Sequence, residues 1–125
     1  MGDRPCSLAL AATRVPATKF VTRVELLDLL DCVYRTIESD PAAKLDLATL
    51  GQEVGLSPYH LQRRFRAVYA ITPHRLQQEK RLELGRQLLG QGESVSWVCY
   101  RCGFSSPSSF GKLFKRRFGL SPSQV

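Results

Sequence analysis

The chain has 125 residues, 43% of them hydrophobic, and a formal net charge of +7 at pH 7. This length allows one domain whose core needs neither disulfide bonds nor a metal. No apolar run is long enough to cross a membrane, and four cysteines are too few for a small secreted disulfide scaffold. We therefore expect a soluble protein of a reducing cytoplasm, with no membrane association.

The positive charge is concentrated in the second half of the chain. Residues 1–54 carry six basic and eight acidic side chains, whereas residues 55–125 carry twelve basic and three acidic ones. A local excess of this size favours a polyanionic partner, because neutralising phosphates releases condensed counterions. Charge alone is equally compatible with a solvated basic surface.

Residues 1–20 contain Pro5 and Pro16, show no sustained periodicity, and are expected to form an irregular lead-in. A helix is predicted from Thr22, where Thr22 and Glu25 have the spacing of a capping box, and it should end before Pro41. Its apolar residues recur at helical spacing: Leu26, Leu29, Leu30, Val33 and Ile37.

Two further helices separated by a glycine turn are predicted next. Asp46 is a plausible N-cap for a short helix reaching Glu53, Gly55 makes the turn, and Ser57 caps a helix that begins at Pro58. The inward-facing residues are expected to be Leu47, Leu50 and Val54 in the short helix and Leu61, Phe65 and Val68 in the longer one. This arrangement is the signature of a helix-turn-helix unit.

The unit is repeated later in the chain. Leu47, Leu50, Val54, Gly55 and Leu56 reappear 48 positions later as Val95, Val98, Cys102, Gly103 and Phe104. After one inserted residue the offset is 49, and Pro58, Leu61, Phe65, Tyr69, Ile71, Thr72 and Pro73 match Pro107, Phe110, Phe114, Phe118, Leu120, Ser121 and Pro122. Core and turn positions repeat while surface positions do not, which predicts two related structural units.

A longer helix opening at Thr72-Pro73 and ending at Gly90 to Gly92 should join the two copies as a rigid spacer. Its apolar residues are Leu76, Leu82, Leu84, Leu88 and Leu89. The predicted fold is all-α, with two homeodomain-like helix-turn-helix subdomains joined by a linker helix. The predicted boundaries are 1–20 for the lead-in, 21–71 for the first subdomain, 72–91 for the linker and 92–125 for the second subdomain, whose final helix is expected to be incomplete.

Residues 22–125 resemble the DNA-binding module of the AraC/XylS-type transcriptional regulators. The similarity is carried by Leu47-Ala48, the stretch from Gly55 through Leu61 to Arg66, Lys80-Arg81-Leu82 with Leu88-Leu89, Gly103-Phe104, and Phe110 with Phe114-Lys115. The resemblance implies a seven-helix module that places one recognition helix of each unit in the major groove, on one face of the DNA. It also implies a regulator that acts on RNA polymerase, binds double-stranded DNA as a monomer or weak dimer, and forms part of a longer chain with a sensor domain.

Residues 57–66 and 92–95 are also similar to the Ada-type alkylation-response branch of that family. Ada-type proteins carry an upstream zinc domain in which a cysteine accepts a methyl group, and here only Arg4-Pro5-Cys6 matches its last ligands. An alternative function is therefore methyl acceptance at Cys6. A third possibility is an interaction module that docks its first helix, Leu26 to Ile37, on a separate sensor protein.

The first recognition helix is predicted to read bases. Tyr59, Gln62, Arg63 and Arg66 have the spacing i, i+3, i+4 and i+7, so they lie on one stripe of the helix. Arg63 can bind guanine O6 and N7, Gln62 can pair with adenine, and Tyr59 can contact a thymine methyl group or the backbone. The resemblance implies base contacts at Tyr59, Gln62 and Arg63. Arg66, His60 and the helix N-terminus at Ser57 are expected to contact phosphates.

The second recognition helix is predicted to bind mainly phosphate. The repeat transfers the stripe to Ser108, Gly111, Lys112 and Lys115, and Gly111 offers no side chain to a base. Limited base contacts are expected from Ser108 and Lys112. Phosphate contacts are expected from Ser106, Ser109, Lys115 and Arg116.

Cys99 and Cys102 have a spacing that suits a zinc or redox site, but a zinc site needs two more ligands and neither Cys6 nor Cys32 supplies a second pair. Cys102 corresponds to the core residue Val54 in the repeat, which favours a structural role for both. No cofactor, metal or catalytic residue is predicted, and the chain is not expected to be an enzyme unless Cys6 accepts a methyl group.

Overall fold

The computed structural model describes residues 22–125 except the side chain of Glu53, and the regular structure of this part is helical. The predicted lead-in, residues 1–20, and Cys6 within it lie outside the described residues. The elements are α1 (Arg23–Ser39), α2 (Leu47–Glu53), α3 (Pro58–Tyr69), α4 (Pro73–Gly90), α5 (Val95–Arg101), α6 (Pro107–Phe118) and a 3₁₀ turn (Pro122–Gln124). The predicted all-α fold is confirmed.

The described chain divides into two compact units. Unit 1 comprises residues 22–39 and 44–74, and unit 2 comprises Asp40–Ala43 and Arg75–Val125. Unit 1 contains α1 to α3 and unit 2 contains α5 and α6. All of α4 after His74 belongs to unit 2, so this helix is part of the structure of unit 2.

Local hydrogen bonds fix where the first two helices begin. The Thr22 N–H donates to Glu25 Oε1 at 2.9 Å and the Glu25 N–H donates to Thr22 Oγ1 at 3.0 Å, which is the predicted capping box. Asp46 accepts from the Thr49 N–H at 3.2 Å and from the Thr49 hydroxyl at 2.7 Å. These bonds lower the pKa of Asp46, the hydroxyl bond contributing most.

The sequence repeat is reproduced in the backbone. Helices α2 and α5 each have seven residues, and α3 and α6 each have twelve. The turn between them closes in the same way in both copies, since the Leu56 N–H donates to the Gly51 carbonyl at 2.8 Å and the Phe104 N–H donates to the Cys99 carbonyl at 3.0 Å. Gly55 and Gly103 supply the left-handed residue of each turn, with φ of 72° and 95°.

The core of unit 1 lies between α1 and the helix-turn-helix pair. Its fully buried side chains include Leu30, Val33 and Ile37 of α1 and Leu61 and Phe65 of α3. The predicted burial of Val68 is wrong, because this residue is 48% exposed. The rings of Tyr34, Phe65 and Tyr69 pack together at that end of α3, with centroids 4.6–6.2 Å apart.

The core of unit 2 is built around a row of phenylalanines. The centroid of Phe110 lies 5.0 Å from Phe104 and 5.5 Å from Phe114, and Phe114 lies 4.7 Å from Phe118. The buried members of this core are Leu82, Leu89, Val98, Cys99, Cys102, Phe110 and Phe114. Two of them, Leu82 and Leu89, come from α4, so that helix supplies one wall of the core.

Beyond α6, the described chain forms a 3₁₀ turn instead of a seventh α-helix. The turn is held by the Ser121 N–H, which donates to Gln124 Oε1 at 2.8 Å, and Pro122 is buried. Within residues 22–125, no helix has both the length and the apolar character needed to span a bilayer.

Candidate nucleic-acid interface

The first recognition helix, α3, is oriented by its N-cap and its apolar residues. Ser57 Oγ accepts a hydrogen bond from the His60 N–H at 3.2 Å, and Pro58 occupies the first turn, where a missing N–H costs nothing. Leu61 and Phe65 are 1% and 0% exposed. Because these two side chains fix the inner face of α3, the opposite face is left to solvent.

The outer face of α3 carries the predicted reading residues. Tyr59 is 63% exposed, Arg63 and Arg66 are exposed, and Gln62 is half-buried. The Arg63 guanidinium donates to the Tyr59 hydroxyl at 3.4 Å, and its Cζ lies 5.6 Å from the centre of the Tyr59 ring. The structure therefore places Tyr59 and Arg63 side by side at the surface, where the guanidinium keeps most of its donors free for another acceptor.

His60 lies at the rim of this face and bonds to the helix cap. Its Nδ1 is 2.8 Å from Ser57 Oγ, and its ring meets the Tyr59 ring edge-on at 5.6 Å. Since the Ser57 oxygen already accepts the His60 N–H, its own proton can be donated to Nδ1 of the neutral imidazole. In that tautomer Nε2–H remains as a donor, which suits the phosphate contact that was predicted.

The second recognition helix, α6, has the same framework and a different outer face. Ser106 Oγ accepts from the Ser109 N–H at 3.2 Å. Phe110 and Phe114, both fully buried, fix the inner face. Exposed on the outer side are Ser108, Ser109, Lys112, Lys115 and Arg116, while Gly111 is half-buried. The structure thus exposes Lys112, with its predicted base contact, and Lys115, with its predicted phosphate contact, on a helix whose residue 111 has no side chain.

Arg117 is a basic residue of α6 that pairs with an acidic residue of the same unit. Its Nε lies 2.7 Å from Glu79 Oε1 and its Nη2 lies 4.0 Å from Glu83 Oε2. Its guanidinium carbon is also 4.9 Å from the centre of the Phe118 ring. This pairing was missed in the sequence because 38 residues separate Arg117 from Glu79. Lys115 and Arg116 are therefore better placed than Arg117 to bind phosphate.

The same contact has a predicted effect on stability. The hydrogen bond from Arg117, with a smaller contribution from Arg75, holds the pKa of Glu79 below its usual value of 4.5. A lowered pKa means that this stabilisation is present above pH 4.5 and is lost as the pH falls through the folded-state value. We expect Glu79→Gln to lower the free energy of unfolding near neutral pH by less than about 1 kcal/mol, and by less at acidic pH.

Urea unfolding followed by the fluorescence of Trp97, the one tryptophan of the chain, measures this difference. Glu93→Gln is the matched control, because Glu93 is exposed and has no ion pair among residues 22–125. An equal loss from both substitutions, or a loss from Glu79→Gln that does not change with pH, would contradict the prediction.

Cys99 and Cys102 are interior residues of unit 2. Both are 0% exposed, and burial raises the pKa of Cys99 and raises that of Cys102 to about 11. At neutral pH both sulfurs therefore carry their protons, whereas metal binding and thiol exchange need the thiolate. No cluster of three potential metal ligands occurs within the described part of the chain.

Comparisons with known proteins agree with this geometry. A family model described as a helix-turn-helix domain matches residues 50–125. The regulatory protein ada of Salmonella typhimurium is 35% identical over 123 residues, which cover 98% of this chain and 33% of that protein. The probable transcriptional regulator LumQ of Photobacterium leiognathi is 34% identical over 103 residues, covering 82% of this chain and 41% of its own. The chain thus spans about a third of the first relative and about two fifths of the second.

Among solved structures, the DNA-binding domain of AdpA, a global transcriptional factor crystallised with a target DNA, is similar to this chain. The two share 27% sequence identity and a TM-score of 0.61, and the match covers 79% of this chain and 86% of that domain. Two helix-turn-helix units with outward polar recognition helices define a DNA-binding domain. The chain belongs to the AraC family of helix-turn-helix DNA-binding domains.

Proposed function

We propose that this chain is a sequence-specific transcriptional regulator that inserts α3 and α6 into successive major grooves. The observation that carries the proposal is the repeated framework with two different outer faces. Unit 1 exposes an arginine and a tyrosine in contact, flanked by Gln62, and such groups suit base edges. Unit 2 exposes lysines and serines around Gly111, which suit the sugar-phosphate backbone.

The outer faces of α3 and α6 suggest different roles for the two units in DNA binding. We assign base contacts to Tyr59, Gln62 and Arg63, with minor ones from Ser108 and Lys112. Phosphate contacts are assigned to Ser57, His60, Arg66, Ser106, Ser109, Lys115 and Arg116. Sequence specificity should therefore lie mainly in unit 1, and the charge of residues 55–125 should supply sequence-independent affinity.

The wider biological setting is part of the same proposal. The chain covers only part of each relative, so a sensor domain on the same polypeptide would supply its signal. We infer that the protein acts in the bacterial cytoplasm, binds DNA as a monomer or weak dimer, and changes transcription through RNA polymerase. The DNA complex of the similar AdpA domain supports the DNA partner.

Selection of bound sequences from a random DNA library, repeated over a series of salt concentrations, tests the proposal. We expect a directional site with two unequal halves about one helical turn apart, the longer and better defined half belonging to unit 1. Two equally defined halves would contradict the unequal roles of α3 and α6. Salt-sensitive binding with no enriched sequence would contradict sequence-specific regulation altogether.

A second candidate function is methyl acceptance at Cys6, as in the Ada-type branch. The observation that favours it is the extent of the match with the regulatory protein ada, which reaches over 98% of this chain. Intact mass spectrometry after incubation with alkylated DNA tests it, with Cys6→Ser as the control. One added methyl group on the unsubstituted chain alone supports this function, and an unchanged mass rejects it.

A further inference from the structure

Arg81 of α4 makes an unusual set of contacts within unit 2. Its Nε donates to the Pro41 carbonyl at 2.7 Å and its Nη2 lies 3.4 Å from the carbonyls of Ala42 and Ala43. Its Nη1 donates to the Gly103 carbonyl at 3.2 Å. One guanidinium therefore joins residues 41–43 to the turn between α5 and α6, two segments about 60 residues apart in the sequence.

The planar shape of the guanidinium suits this bridge. Its five donors point in fixed directions, so one side chain can hold carbonyl oxygens on two sides at once. Burial removes part of the guanidinium from water and lowers the pKa of Arg81. Hydrogen bonds from a charged donor are stronger than those between neutral groups, so these bonds hold residues 41–43 and the Gly103 turn together.

The turn that Arg81 holds lies directly before α6. Gly103 has φ of 95°, and a Cβ placed there would lie 2.9 Å from the Arg81 guanidinium carbon. Phe104 follows directly and packs against Phe110 of α6, and Ser106 then caps that helix. A shift of the Gly103 carbonyl would therefore be transmitted through Phe104 to the start of the second recognition helix.

We propose that Arg81 is a positioning residue that sets the second recognition helix for phosphate binding without contacting DNA. The inference rests on the proposed function of α6 and adds a residue of α4, outside both recognition helices, to the determinants of DNA affinity. Glu79 acts at the other end of α6 through Arg117, so α4 holds that helix near both of its ends.

A substitution of Gln77 distinguishes the contact to residues 41–43 from the contact to Gly103. Gln77 lies one turn before Arg81 on α4, is 7% exposed, and donates to the Ala43 carbonyl at 2.6 Å and to the Pro41 carbonyl at 3.3 Å. Gln77 therefore holds the same 41–43 segment but not Gly103. Gln77→Met removes contacts to this segment alone, whereas Arg81→Met also removes the contact to the turn.

The test measures DNA affinity over a series of salt concentrations for the unsubstituted chain, Arg81→Met, Arg81→Lys and Gln77→Met. Losing the phosphate contacts of Lys115 and Arg116 should reduce the slope of log affinity against log salt by up to about 2 and weaken binding about 10–100-fold at low salt. The Arg81 variants should still prefer the selected DNA site over a site that carries base changes in the half bound by unit 1. Arg81→Lys should behave like Arg81→Met, because one ammonium group cannot reproduce the bridge.

Gly103→Ala and Gly92→Ala provide a second, matched pair. Both glycines have a similar positive φ, 95° and 92°, but a Cβ at Gly92 meets no atom within 4 Å. The backbone strain is therefore common to both substitutions, and only Gly103→Ala displaces the Arg81 guanidinium. We expect only Gly103→Ala to lower the salt slope as Arg81→Met does.

Amide hydrogen exchange of Phe104, whose N–H bonds to the Cys99 carbonyl, reads the same change without DNA. Exchange at Phe104 should become faster in Arg81→Met and stay the same in Gln77→Met. The positioning role is wrong if Arg81→Met leaves the salt slope and Phe104 exchange unchanged, or if Gln77→Met has the same effect. If the unsubstituted chain shows no salt-dependent DNA binding, the proposed function is rejected. The exchange measurement at Phe104 is made without DNA, so it still tests whether Arg81 holds the turn.

Discussion

Replacing Phe114 with alanine is expected to destabilise unit 2 by about 3–5 kcal/mol. The side chain is 0% exposed and lies between Phe110 and Phe118, with ring centroids 5.5 Å and 4.7 Å away. Removing it loses the transfer free energy of a buried ring and leaves a cavity that the neighbouring rings fill only in part. Urea unfolding followed by the fluorescence of Trp97 on α5 reports on this unit.

Tyr59→Ala is the control for this measurement. Tyr59 is also an aromatic residue on a recognition helix, but it is 63% exposed, so its removal should change the free energy of unfolding by less than about 0.5 kcal/mol. A loss from Phe114→Ala as small as the one expected from Tyr59→Ala would mean that the row of phenylalanines is not the core of unit 2.

Replacing Arg63 with alanine is expected to weaken binding to the preferred DNA site by about 1–3 kcal/mol and to relax the preference at one base pair. The reason is that the Arg63 guanidinium is exposed, bonded only weakly to Tyr59 at 3.4 Å, and able to present two parallel donors to guanine. Competition binding with a panel of single-base variants of the selected site measures both effects.

Lys115→Ala is the comparison that separates base reading from charge. It lies at the position of α6 that corresponds to Arg66, and it should weaken all sequences alike and reduce the salt slope by about 1. A larger change of sequence preference from Lys112→Ala or Ser108→Ala than from Arg63→Ala would reverse the proposed roles of the two units.

Much of the local structure of this protein can be predicted from the sequence because it depends on short-range chemistry. The capping box at Thr22 and the caps at Asp46 and Ser57 are confirmed. Each depends on residues three positions apart. The repeat also predicted two related structural units, and the structure shows helices of equal length and left-handed glycines at Gly55 and Gly103 in the two copies.

The error at Val68 shows where helical spacing is insufficient. Val68 falls on the same side of α3 as Leu61 and Phe65, yet it is 48% exposed, and the ring of Tyr34 from α1 packs with Phe65 and Tyr69. The repeat contains a signal against burial at this position, since the equivalent of Val68 in α6 is the charged Arg117. Periodicity gives the direction of a side chain but not the neighbour that covers it.

The sequence by itself determined the all-α fold, the two helix-turn-helix units and the different outer faces of their recognition helices. These properties follow from the order of caps, glycines and apolar residues along the chain. Only the tertiary structure decided which polar side chains form contacts within the protein and are therefore not available to bind DNA. Arg117 pairs with Glu79 across 38 residues, and Arg81 bridges Pro41 and Gly103. No spacing rule covers such contacts, because they depend on which helix faces pack together.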